Sequence, residues 1–145
     1  MTATFNKFNA FTLELGNGNI NLGSDALKVM LTNTAPVATN TLYGDISSGE
    51  VANGNGYTTG GNSAALTSWS QSGGVAKLIL ANPSTWTASG GSIGPFRYAV
   101  LYDTTPTSPL KPLIGWYDYG AAVTLTAGEQ FQVAFDATNG VFTIT

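Results

Sequence analysis

Apolar residues alternate with polar ones over short stretches of this chain, which is the two-residue period of a β-strand, and helical spacing is scarce. The clearest alternation lies at 96–102, where Phe96, Tyr98, Val100 and Tyr102 fall on one face and Arg97, Ala99 and Leu101 on the other. Both faces carry apolar groups. The pattern therefore predicts a strand covered on both sides, by core on each, or by core on one and a partner on the other. Its expected antiparallel neighbour is 113–119, reached through the proline-rich segment 105–112, whose Pro106, Pro109 and Pro112 lack amide donors and suit a surface loop.

Further strands are expected at 8–15, 27–32, 75–81 and 123–126. A helical turn near 24–30 capped by Asp25 competes with the strand at 27–32, but Leu27, Val29 and Leu31 alternate and favour the strand. Phe131, Val133 and Phe135 alternate as well, and the turn residues 136–140 lead on to 141–145, so the C-terminus reads as a hairpin. Between these runs stand Gly16-Asn17-Gly18, Asn53-Gly54-Asn55-Gly56, Gly60-Gly61, Gly73-Gly74 and Gly90-Gly91. Evenly spaced short strands without intervening helices predict an all-β fold, a single antiparallel β-sandwich domain over 1–145. Only the stretch 39–63 departs from this rhythm. It is mostly Gly, Asn, Ser and Thr with Leu42, Tyr43, Ile46, Val51 and Tyr57 embedded, the composition of a long loop pinned by apolar anchors.

Composition narrows the chemistry. The 145 residues include no Cys and no His, which removes thiolate nucleophiles, Cys-based metal sites and the commonest general base and metal ligand. Charged residues make up 9% of the chain, against about 25% in an ordinary globular domain. With a formal charge of −3 and five Lys and Arg in all, no basic patch is available to neutralise a phosphate backbone, so nucleic acid is not an expected partner. No apolar run approaches the ~18 residues of a membrane helix, and the N-terminus lacks the continuous apolar stretch of a secretory signal, so no membrane association is expected.

The chemistry-bearing residues that remain are carboxylates and aromatics. Asp103 and Asp118 stand on strands expected to pair, so a glycosidase-like dyad is one reading, but carboxylates beside turns ordinarily cap turn amides. The oxygen-rich loops 17–25 and 45–55 have ligands that calcium accepts, yet neither shows the spaced ladder of an EF-hand, and turn formation accounts for them. No catalytic, cofactor-binding or metal-binding residue is assigned. Among the aromatics, Trp69, Trp86, Trp116, Tyr43, Tyr57, Tyr117 and Tyr119 suit either a core or a sugar-stacking platform, with core packing favoured. Trp86 sits in a polar stretch flanked by Pro83 and Gly90, where a core role is not obvious. Phe5 and Phe8 stand among polar residues in 1–8, which reads as an extended arm or as a first strand. Phe5, Phe8, Tyr57 and Trp86 are accordingly the expected partner-binding residues.

Several strings together carry a resemblance. They are Asp25-Ala26-Leu27-Lys28-Val29-Met30-Leu31-Thr32, Gly44-Asp45-Ile46 with Gly54-Asn55-Gly56-Tyr57, Arg97-Tyr98-Ala99-Val100-Leu101-Tyr102-Asp103, Leu113-Ile114-Gly115-Trp116-Tyr117-Asp118-Tyr119-Gly120, and Gly128-Glu129-Gln130-Phe131 continuing into Phe135-Asp136-Ala137-Thr138-Asn139-Gly140. In order and spacing the chain resembles small structural proteins of tailed-bacteriophage virions, and is most similar to jelly-roll decoration, or cement, proteins such as those of short-tailed Bordetella phages. The resemblance implies a jelly-roll-like sandwich on the outside of the phage head, bound to the major capsid protein across subunit joints. It also implies a homo-oligomer, a dimer before a trimer. A glycan- or receptor-binding module of a phage tail or fibre is the alternative expectation.

Overall fold

A computed structural model describes residues 3–145. The spine of the fold is three antiparallel strands: β2 (Leu27–Thr32), β7 (Ile93–Asp103) and β8 (Leu113–Leu125). β7 pairs with its expected neighbour β8, Val100 opposite Trp116, and on its other side with β2, Met30 opposite Val100. Short outer strands β1 (Asn6–Lys7) and β3 (Asn62–Ala64) complete a five-stranded sheet in the order β1-β8-β7-β2-β3. A second sheet has the order β10-β5-β4, from β4 (Leu66–Ser72), β5 (Val75–Leu80) and β10 (Phe142–Ile144). Two residues each of β6 (Trp86–Thr87) and β9 (Gln130–Phe131) form a small third ladder. The fold is all-β with antiparallel sheets, a sandwich as expected.

The larger core fills the space between the two main sheets. Val29, Leu31, Ala99, Leu101 and Ile114 meet Leu78 and Leu80, with Trp86, Tyr57 and Ile20 closing the ends. The opposite face of the five-stranded sheet carries Met30, Val100, Tyr102 and Leu113, which pack under Phe8 and Ile46. Both faces of β7 are thus covered from within the chain. The long loop does the second covering, since Tyr43–Asp45 and Ser47–Gly49 form two short 3-10 turns on either side of buried Ile46. Phe96 departs from its predicted face. Between Phe96 and Tyr98 two residues of β7 advance against five of β8, from Val123 to Asp118, and this bulge sends Phe96 into the larger core.

Three expected elements are corrected. The strand at 8–15 is a helix, α1 (Asn9–Gly16). Phe11 and Leu15 are four apart and share one helix face, which meets the larger core, while Leu13 is 61% exposed, so the alternation of the three residues does not mark a strand. The separate strand at 123–126 is the far end of the 13-residue β8. The C-terminal turn does form, with Asp136 accepting the amides of Thr138 and Asn139 at 2.8 Å, but its flanks do not pair with each other. β9 joins β6 and β10 joins β5, because the turn carries the chain from one sheet to another. Alternation fixes which side chains share a face and is silent on which strand lies alongside.

Candidate binding cleft

The four expected partner-binding residues are core or framework. Phe8, Tyr57 and Trp86 are 0%, 2% and 1% exposed, and such side chains offer a partner no surface, so the expectation is corrected for all three. Phe8 lies 4.5 Å from the Trp116 ring in the second core. Trp86 stacks on Tyr57 and meets Phe131 at a tilt, with ring centroids 6.5 and 6.3 Å away. Phe5 is half-buried and stacks on Phe142 at 5.4 Å. It lies over Gly115, where any Cβ would run into the Phe5 ring. The segment before Phe8 is therefore held against the body where it is described; residues 1 and 2 of the expected arm lie outside the described residues.

Tyr57 belongs to a polar knot that fastens the long loop to the sheet. Its hydroxyl accepts the Leu31 amide at 3.1 Å and donates to Glu50 Oε1 at 2.7 Å. The Gly60 amide donates to the same oxygen at 2.6 Å, and the Tyr43 hydroxyl donates to Glu50 Oε2. Tyr102 closes the ring by donating to the Gly60 carbonyl at 2.6 Å. Burial, together with the Glu50 carboxylate, drives the Tyr43 and Tyr57 hydroxyls far above their ordinary range, so both remain donors. Both carboxylate oxygens of Glu50 are occupied. The knot holds the long loop against the sheet.

Asp103 and Asp118 do not meet. Asp118 stands opposite Tyr98, and Asp103 lies five residues further along β7, about 16 Å at strand spacing, well beyond the ~5–9.5 Å of a glycosidase pair. Each has another partner. Arg97 donates to both oxygens of Asp118, at 2.8 and 3.0 Å, and holds that carboxyl below its usual range. Asp103 is fully buried at the end of β7, accepting the Thr105 amide at 3.0 Å through Oδ1, with the Asp25 carboxyl within hydrogen-bonding reach. Burial, then Asp25, pushes the Asp103 carboxyl up to about 7. Among the described residues no three acidic groups gather as a ready-made metal cluster.

Two concave features of about 320 Å³ each are present among the described residues: an apolar one bordered by Phe11, Leu15 and Phe142, and an aromatic cleft between the far end of the β7–β8 ladder and the segment 131–134. Phe131 forms one wall. It meets Phe96 edge-on at 4.9 Å and Tyr119 edge-on at 5.6 Å. Tyr117 and Val133 line the remainder, and Tyr119 is 47% exposed at the rim. Burial pushes the Tyr117 hydroxyl up to about 12, so it stays a neutral donor at physiological pH. Arg97 and Gln132 supply polar lining. The volume is at the lower end of small-ligand sites, about 300–1,000 Å³, and also suits one or two protruding side chains of a protein.

Tyr117 and Tyr119 are visible in the sequence as aromatics, but Phe131 reads there as one residue of a hairpin. Pairing of β9 with β6 brings it over β8, and nothing in local alternation announces that pairing. Comparison of the chain with protein-family models, curated proteins and solved structures finds no match.

Proposed function

We propose that the protein is a structural component of a phage virion, a decoration protein that binds the outside of the head and stabilises contacts between major capsid protein subunits. The whole-chain resemblance supports the location. The observation that carries the binding role is the aromatic cleft, where Tyr119 projects 47% exposed beside Phe131 on a body whose other large aromatics are mostly covered. Aromatic anchors of this kind dominate binding when a partner excludes water from around them.

A protein that binds the assembled shell better than free subunits stabilises the shell by mass action. Association as a homo-oligomer, a dimer before a trimer, adds effective concentration, because the second contact of a bridging unit becomes intramolecular. No catalytic step is required. The framework suits such docking, because the Glu50 knot fixes the long loop in advance and little ordering entropy is lost on contact.

A second reading, a glycan- or receptor-binding module of a tail or fibre, draws on the same cleft, since tyrosine faces stack on sugar rings and Arg97 and Gln132 can meet hydroxyls. Trp86, buried, has no part in it. Imaging of purified virions separates the two. Density for this chain on the head, with Tyr119→Ala reducing its occupancy, supports decoration, whereas density confined to the tail together with a glycan-array signal lost in Tyr119→Ala overturns it.

A further inference from the structure

Four strands close the edges of the two main sheets, and three of them are blunted in the usual ways. β1, β3 and β10 are two, three and three residues long, and β1 carries Lys7. β4 is seven residues long, Leu66-Thr67-Ser68-Trp69-Ser70-Gln71-Ser72, mostly exposed and without a charge or a proline. Its pairing with β5 shifts between Leu66 and Ser68, so a bulge disturbs the first residues and leaves 68–72 regular. The turn fixes which way the backbone faces there. Gly73 and Gly74, at φ +60° and +84°, make a two-residue loop between Ser72 and Val75, which exchange backbone hydrogen bonds. Counting back by two, Ser70 and Ser68 also bond to β5, whereas Trp69 and Gln71 turn their N–H and C=O groups away from it. Among the described residues nothing pairs with those groups.

An unpaired row of donors and acceptors at a sheet edge fits another extended strand. Charge and symmetry select a second copy of this chain. Copies of formal charge −3 repel one another, but all eight carboxylates lie outside β4, β5 and β10, whose one charged residue is Lys77. Antiparallel pairing about a two-fold axis at Ser70 sets Trp69 opposite the partner's Gln71, and Gln71 opposite the partner's Trp69. Each outward N–H then meets an outward C=O, and only serine hydroxyls face one another across the axis on the solvent side. We propose that two copies join at β4 about this axis and merge their three-stranded sheets into one of six strands. Such a contact is isologous, so it closes on itself and consumes the open edge. The proposal rests on the homo-oligomer part of the reading above and uses no residue of the aromatic cleft.

The test is cysteine crosslinking of the full chain together with sedimentation equilibrium. The chain has no Cys, so an engineered one reports alone. Ser70 would meet its own copy as a non-hydrogen-bonded pair with Cα atoms about 4.5 Å apart, within the ~4.4–6.8 Å of a disulfide. Ser68 would face the partner's Ser72, and each would stand four residues, roughly 13 Å, from its own copy. The expected results are a mass twice 15.0 kDa, a disulfide-linked dimer of Ser70→Cys, and linkage of Ser68→Cys with Ser72→Cys only when the two are mixed. Ser70→Glu should weaken the dimer at least tenfold by setting like charges across the axis, and mixing it with Ser70→Lys should restore dimerisation. A mass of 15.0 kDa at every concentration overturns both this interface and the homo-oligomer reading. A dimer that Ser70→Glu leaves intact and in which Ser70→Cys links no better than Ser68→Cys alone overturns the interface and spares that reading.

Discussion

Tyr57 and Glu50 are joined by a 2.7 Å hydrogen bond that places a carboxylate beneath a loop otherwise built of small polar residues. The same hydroxyl accepts the Leu31 amide, so one side chain links the loop to the central sheet. Sequence alone offers Tyr57 as an apolar anchor. The structure adds the polar end of the anchor, and with it the reason the stretch 39–63 is ordered despite its composition. Gly61 completes the arrangement: at φ +81°, with the Val29 carbonyl against it, no larger residue fits.

Tyr57→Phe should therefore destabilise the fold by about 1–3 kcal/mol, the cost of a lost charge-assisted bond and of a buried Leu31 amide left without its acceptor. Glu50→Gln should cost a similar amount. Urea unfolding of the two single variants and the double variant measures the coupling. Because both act in one network, the double variant should lose less than the sum of the singles.

Trp86→Ala should be far more damaging. Removal of a side chain 1% exposed and packed between Tyr57 and Phe131 leaves a large cavity, at about 3–5 kcal/mol. Trp86→Phe should be milder, since it also removes the buried indole N–H that has no partner. Chemical denaturation of both variants tests this ordering, and any binding defect of Trp86→Ala should follow its folded fraction.

Tyr119→Ala is expected to behave in the opposite way. At 47% exposure it should change stability by less than about 1 kcal/mol, yet lower affinity for the capsid partner at least tenfold as the exposed aromatic anchor at the rim of the cleft. Thermal unfolding, together with sedimentation of the variant with expanded capsid shells, reads both quantities on the same preparation.

The contrast between Trp86 and Tyr119 shows where sequence reading succeeds and where it stops. The alternation at 27–32 and 96–102 locates the spine strands and the two apolar faces of 96–102, because a two-residue period is a local property, while the loop-like segment 105–112 makes 113–119 the antiparallel neighbour. Trp86 reads as exposed since its immediate neighbours are polar, but pairing of β6 with β9, more than forty residues away, draws it inward. The helix at Asn9–Gly16 is hidden for a related reason: Phe11, Leu13 and Leu15 alternate, and only the docking of Phe11 and Leu15 on the core distinguishes helix from strand. The Asp25–Asp103 corner likewise depends on strand register, which composition does not encode.

That corner makes stability depend on pH in an unusual direction. The Asp103 carboxyl titrates near 7 in the folded protein and near 3.9 when unfolded, so the folded state holds the proton more tightly. By linkage its contribution is fully present below about pH 4, declines as pH rises, and is lost above about 7, a span worth on the order of 4 kcal/mol. The exposed carboxylates run the other way. Asp118, held low by Arg97, and Asp45, held low by the Thr41 and Leu42 amides, stabilise above the ordinary carboxylate range and lose that effect in acid. The two trends meet on the acid side of neutrality, so Tm should peak near pH 5 and fall toward pH 8. Asp103→Asn should flatten the slope between pH 5 and 7.5 while leaving the acid limb in place, and an unchanged slope in that variant would assign the titration to another group.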